Sequence, residues 1–187
     1  CFGVGGALKQ QSSAGNEKVI AITLGTGFGA AFLDNKIPIT QGEKVPHNGC
    51  LWDKPFKDSI ADNYFSTRWF LNEYEIVTGQ KLTDGVKEIA SIENYSTAKI
   101  FGDFANNLSD FLAPFIVNFD ADLLVIGGNI AKSNHLFLPK LEENFRKKNI
   151  NLSISIIEDT EETSILGSSY LFNEVFWEKI KEELPYF

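Results

Sequence analysis

"VIAITLGTGFGAAF", residues 19–32, is the stretch on which the fold turns. A strand-forming run from Val19 to Leu24 meets Gly25-Thr26-Gly27-Phe28-Gly29 and then becomes apolar again through Phe32. The pattern reads as two strands, about residues 18–24 and 29–33, joined by a tight turn. Three glycines and a threonine at such a turn admit two explanations. One is conformational, because a tight turn can need the positive φ that glycine supplies at little cost. The other is chemical. A turn stripped of Cβ atoms lets backbone N–H groups approach a phosphate, and a threonine hydroxyl adds a donor.

Working outward, residues 34–36 read as a turn and 37–40 as a third short strand, which makes an antiparallel meander. Upstream, residues 1–10 are small and apolar like the tail of a helix, and residues 11–17 form a loop by composition. Downstream, residues 41–57 carry two prolines, His47 and Trp52 without regular period. Long irregular loops of this kind inside compact domains are often functional. Helical patterns follow over residues 59–75, with Gly79 as a C-cap, and over residues 84–90. A long amphipathic helix starts near Ser96, with Ile100, Phe104, Leu108, Phe111, Leu112 and Phe115 on one face. Residues 123–126 form an apolar strand that runs into Gly127-Gly128-Asn129 and a helix to about Lys148. Another strand (152–157) and a closing helix (164–183) complete the chain. This order predicts a three-layer α/β lobe with a mixed sheet.

The chain has 187 residues, 43% hydrophobic and 22% charged, enough for a sizeable core and unlike a disordered segment. A formal charge of -8 argues against direct nucleic-acid contact, which needs clustered Lys and Arg. It leaves room for a nucleotide held by backbone amides and a metal ion. No apolar run long enough for a bilayer and no signal peptide can be found, so a cytoplasmic protein is expected. Two cysteines, Cys1 and Cys50, imply no disulfide framework, and two histidines without a paired CxxC make zinc unexpected. The chain begins Cys-Phe-Gly and holds no Met, so it is expected to be a fragment. The three tryptophans are assigned to core or to a subunit interface, with Trp52, in the irregular loop, the one placed to stack on a ligand.

The glycine turn gains weight from "LLVIGGNIA", residues 123–131, where a second glycine pair follows an apolar strand. In α/β sheets, ligands sit beyond the carboxyl ends of strands, and glycines there let a ring or phosphate approach the backbone. The plainer explanation is a tight strand-to-helix connection.

Together these segments resemble the actin-like ATPase superfamily, which has a ribonuclease H-like lobe with helices on both sheet faces. Within it they resemble the ROK family of bacterial sugar kinases and sugar-sensing repressors. "TLGTGFGAAF" (residues 23–32) is similar to that family's second phosphate-binding hairpin and "LLVIGGNIAKS" (123–133) to its adenosine-binding segment. "IADNYFSTRWF" (60–70) is similar to the helix after its sugar region, and "ETSILGSSYLF" (162–172) to its last helix. The resemblance covers nearly the whole chain in the right order.

It implies an ATP-dependent kinase for a hexose or N-acetylhexosamine, working with Mg²⁺. Gly25, Thr26 and Gly27 would cradle the β- and γ-phosphates, and Gly127, Gly128 and Asn129 would line the adenosine pocket. The family's catalytic aspartate, aligned backward from Val19, falls a residue or two before Cys1. The first phosphate hairpin is likewise outside this chain. The resemblance therefore implies a single carboxyl-terminal lobe over residues 1–187, inactive alone, with an amino-terminal lobe and a second copy as expected partners. For the sugar contacts two placements compete: Glu43 with His47, or the segment 49–53 with Cys50 replacing the family's glutamate and Asp53 beside it. The first keeps a carboxylate able to accept two sugar hydroxyl bonds, and the second loses it. Neither has the family's zinc-binding cysteines. The alternatives are a non-catalytic sugar-sensing domain of a ROK-type repressor and a scaffold of the same fold without a small ligand.

Overall fold

The computed structural model describes residues 1–9 and 18–181. In chain order these form α1 (Phe2–Lys9), β1 (Lys18–Leu24), β2 (Phe28–Asp34), β3 (Ile37–Ile39), β4 (Pro55–Phe56) and β5 (Ser59–Ile60). Then come α2 (Ala61–Tyr64), α3 (Thr67–Thr78), α4 (Val86–Ala90), α5 (Tyr95–Phe119), β6 (Leu123–Gly127), α6 (Asn134–Lys147), β7 (Ser153–Ile156), α7 (Thr160–Ser169) and α8 (Glu174–Ile180). The loop expected over residues 11–17 lies outside the described residues.

Five strands make one mixed sheet in the order β3-β2-β1-β6-β7. The antiparallel meander contributes β1, β2 and β3, while β1, β6 and β7 run parallel. Alternation along the strands sends side chains to two cores, as the two-residue period of a strand requires. Ile20, Ile22, Leu24, Leu124 and Ile126 join α3, α5 and α6 on one face. Val19, Ala21, Leu33, Leu123 and Val125 meet residues of α1, α7 and α8 on the other. The larger face is aromatic. Phe104 is fully buried among Phe65, Trp69, Phe70 and Phe137, with ring centroids 4.7–6.1 Å away.

On the second face α1 and α7 approach backbone to backbone. A Cβ built on Gly5 would lie 1.9 Å from the Thr163 carbonyl oxygen, and one on Gly167 would lie 1.9 Å from that of Cys1. The small residues at the start of the chain are thus the condition for this helix pair.

Three expectations about helices change. Residues 59–75 are not one helix. Ser59 and Ile60 pair with Phe56 and Pro55 in a small hairpin inside the loop expected to be irregular. The chain then breaks at Ser66, which is extended (φ -124, ψ 166) and frees Thr67 to bond elsewhere. The closing helix starts earlier, at Thr160, because the Asp159 carboxylate accepts from the Glu162 N–H at 2.8 Å. It ends at Ser169, and Asn173 caps a separate α8 through the Phe176 N–H. Of the tryptophans, only Trp69 is buried; Trp52 and Trp177 are 49% and 42% exposed.

On the exposed face of α6, Glu143 bonds Lys140 at 3.0 Å and Lys147 at 2.5 Å. These two lysines hold its carboxyl near a pKa of about 2, below the ordinary 4.5. A depressed folded-state pKa adds stability above pH 4.5 that is lost as pH falls toward 2. Glu143→Gln should therefore lower the thermal midpoint slightly at pH 7. The gap to the parent should close across that acid window and shrink in high salt.

Candidate functional site

Because β1, β6 and β7 are parallel, their carboxyl ends open onto one side of the sheet. There a crevice of about 710 Å³ is lined by Thr23 to Gly27, Gly128, Asn129, Lys132 and residues 158–161. The two glycine segments, a hundred residues apart in sequence, thus face each other.

The β1–β2 turn is held from several sides. The Gly25 N–H donates to the Gly27 carbonyl (3.1 Å), and the Gly25 carbonyl accepts from the Thr67 N–H (2.8 Å) and hydroxyl (3.0 Å). The Phe28 N–H donates to Asp62 Oδ1 at 2.7 Å. Neither Gly25 nor Gly27 lies at a left-handed φ, so backbone conformation is not why glycine stands there. A Cβ on Gly25 would meet nothing within 4 Å. Thr26 is exposed at the tip, and among the described residues its hydroxyl has no hydrogen-bond partner. The turn therefore presents an open, Cβ-free surface and a free hydroxyl to the crevice.

The second segment is different. Gly128 has φ +95, and a Cβ there would lie 2.3 Å from the Leu24 carbonyl oxygen. Its N–H donates to Thr160 Oγ1 at 2.9 Å. Gly127 is buried and does not line the crevice; a Cβ there would strike the Phe2 ring at 2.4 Å. Both glycines thus have packing reasons, and of the two only Gly128 also borders the open space. Asn129 lines the crevice and leads into a 3-10 turn, Ile130–Ser133, that carries Lys132 to the rim.

Charge at this rim is uneven. Lys132 is the one basic side chain among the lining residues, against the carboxylates of Glu158, Asp159 and Glu161. Asp159 is engaged as the cap of α7, and acidic residues there suit the positive end of the helix. Among the described residues no group of three or more His, Cys, Asp or Glu is arranged to hold a metal ion. A magnesium ion at this crevice would be carried mainly by phosphates and water, as is common for that ion. Glu158 and Thr160 have no sequence signal, and they reach the crevice because β7 pairs with β6, whereas Lys132 lies in the segment that follows β6 itself.

Glu43 and His47 are exposed and do not line the crevice. The Glu43 carbonyl lies 3.4 Å from the Asn118 side-chain amide at the end of α5. His47 opens a 3-10 turn that ends at Gly49, just before Cys50. Asp53 pairs with Lys54 at 3.0 Å. The neighbouring Trp52 carbonyl accepts from the Asp62 N–H at 3.0 Å, which ties residues 52–53 to the helix start that braces the glycine turn. Among the described residues no helix is long and apolar enough to cross a membrane.

Solved structures share this architecture. A glucokinase from Parabacteroides distasonis matches with a TM-score of 0.75 at 16% identity, over 92% of this chain and 66% of that one. A ROK family glucokinase from Streptomyces griseus, solved with glucose and AMPPNP, matches with a TM-score of 0.70 at 16% identity, over 91% and 66%. A ROK family transcriptional regulator, a homologue of the E. coli MLC protein, matches with a TM-score of 0.70 at 14% identity, over 97% and 52%. The chain spans about two thirds of the length of the glucokinases and about half that of the regulator. No curated protein matches it by sequence. The fold is that of the actin-like ATPases. The ROK family model matches residues 5–174, and the chain belongs to the ROK family.

Proposed function

We propose that this chain is the carboxyl-terminal lobe of a ROK-type sugar kinase, with ATP bound along the crevice between the two glycine segments. The observation that carries this reading is the Gly25–Gly27 turn. Its two glycines face the crevice with no Cβ, and nothing in the packing or the backbone angle of Gly25 demands a glycine. Gly25, Thr26 and Gly27 take the β- and γ-phosphates. Gly128 and Asn129 take the adenosine, with Gly127 buried behind them against the Phe2 ring. Lys132 supplies the positive charge at the rim.

Phosphoryl transfer needs positioning and charge neutralisation more than covalent help. Mg²⁺ bound to the triphosphate supplies much of that neutralisation. The chain's own residues align the phosphates and shape the nucleoside pocket, and the base and first phosphate hairpin belong to an amino-terminal lobe across the cleft. A cytoplasmic location, where ATP is abundant, fits this role.

The hexose or N-acetylhexosamine binds on the loop between β3 and β4. The first placement assigns its contacts to Glu43 and His47. The bond from the Asp62 N–H to the Trp52 carbonyl favours the second, with Cys50 and Asp53 at the sugar. That placement lacks the family's glutamate, and this supports a second reading: a sugar-sensing domain of a ROK-type repressor.

Calorimetry of the protein with AMPPNP and Mg²⁺, with and without a panel of hexoses, tests the assignment. Nucleotide binding with a dissociation constant of about 1 µM to 1 mM is expected for a kinase. Sugar binding without nucleotide binding would favour the sensor, and binding of neither would overturn both. Gly25→Val gives a sharper check. It should leave the unfolding free energy within about 0.5 kcal/mol of the parent, because its side chain points into open space. It should nonetheless abolish measurable nucleotide binding.

A further inference from the structure

We infer that Asp62 and Thr67 are positioning residues that set the glycine turn for its phosphate ligand and tie it to the loop expected to hold the sugar. This rests on the nucleotide reading above. The turn between β1 and β2 is short, open to solvent on its crevice side, and closed by one internal bond, Gly25 N–H to the Gly27 carbonyl. Left alone, such a loop would sample many conformations, and ordering it would weaken any ligand that needs one of them.

The start of α2 and α3 supplies the order from outside. Asp62 Oδ1 accepts from the Phe28 N–H at 2.7 Å, and Oδ2 accepts from Arg68 at 2.8 Å. Thr67 closes the other side, donating twice to the Gly25 carbonyl. The turn is therefore gripped at both ends by residues five apart, one on α2 and one on α3.

Two details show that this grip shapes the local sequence. A Cβ on Gly27 would sit 3.1 Å from Asp62 Oδ1, so the small residue makes room for the carboxylate. The extended Ser66 that splits the helix is what turns the Thr67 N–H toward Gly25 instead of into a helical bond. The same Asp62 donates its own N–H to the Trp52 carbonyl, and Ala61 donates to that of Lys54. One junction thus holds the glycine turn and residues 52–54 together. Neither Asp62 nor Thr67 lines the crevice, so both act through the turn.

The test measures AMPPNP affinity by calorimetry and amide hydrogen exchange of residues 24–29 on the same proteins. Asp62→Ala should weaken binding about tenfold or more and speed exchange at the turn by a similar factor. Asp62→Asn, which keeps an acceptor for Phe28, should recover most of both. A purely structural role would lower the thermal midpoint without this selective rescue. Should Asp62→Ala not fold, Thr67→Val takes its place. It keeps the N–H bond and loses the hydroxyl bond, and about threefold weaker binding is expected, restored by Thr67→Ser. If the parent binds AMPPNP and the variants bind equally well with unchanged exchange, the inference is overturned and the nucleotide reading stands. If the parent binds no AMPPNP, both fall.

Discussion

Gly128→Val should destabilise the protein severely. At φ +95 a β-branched residue costs about 1–3 kcal/mol in backbone strain alone. The new side chain would also meet the Leu24 carbonyl oxygen at 2.3 Å and that residue's backbone nitrogen at 2.9 Å. Leu24 is a fully buried sheet residue paired to Phe28, so it cannot step aside as a surface side chain would. Overpacking of this kind adds about 1–3 kcal/mol more. Denaturant titration should show the midpoint falling sharply, and nucleotide binding should be lost with it. The contrast with Gly25→Val is the informative part. Two glycines lining one crevice are retained for different reasons, one to let elements pack and one to leave space.

Phe104→Ala should cost about 3–5 kcal/mol, the range for removing a buried phenyl ring. Phe104 is fully buried at the centre of the aromatic core, with Phe70 and Phe137 centroids at 4.7 and 5.3 Å. Its loss leaves a cavity bounded by rings from α3, α6 and the α2–α3 junction, which cannot all relax inward. The urea midpoint should drop with little change in slope, since the surface exposed on unfolding is nearly the same. Phe172→Ala is the matching control. That ring is 90% exposed, and its removal should change stability by no more than about 0.5 kcal/mol. A small effect at Phe104 would show that the aromatic face is looser than its packing implies.

Much of the fold could be read from local pattern. The strand-forming run in residues 18–24 and the glycine turn placed the first hairpin, and the three-to-four spacing from Ile100 to Phe115 placed α5. The four-residue apolar run at 123–126 read as a buried strand, and β6 is buried along its whole length. The errors fall where a long-range bond overrides a local one. Residues 59–75 carry a helical pattern, yet Ser66 leaves it so that Thr67 can reach Gly25, forty-two positions away. The closing segment divides for a local reason instead, at Asn173, whose side chain caps the next helix.

The site divides in the same way. The resemblance to the ROK family marked Asn129; glycine content marked the turn at Gly25, Thr26 and Gly27 and the pair Gly127-Gly128, because a bend without side chains is visible in a sequence. It could not separate Gly127, which gives way to the Phe2 ring, from Gly128, which borders the crevice. Nor could it find Lys132 or the Asp62 grip, which are ordinary residues on ordinary helices or turns.

The sequence by itself determined most of the segments that become strands and helices, and that two of its bends carry almost no side-chain bulk, since periodicity and glycine content are properties of neighbours along the chain. Only the tertiary structure decided that those bends share a crevice and what steadies them. The parallel pairing of β1 with β6, and the bonds from α2 and α3 to the turn, join residues that no local rule relates.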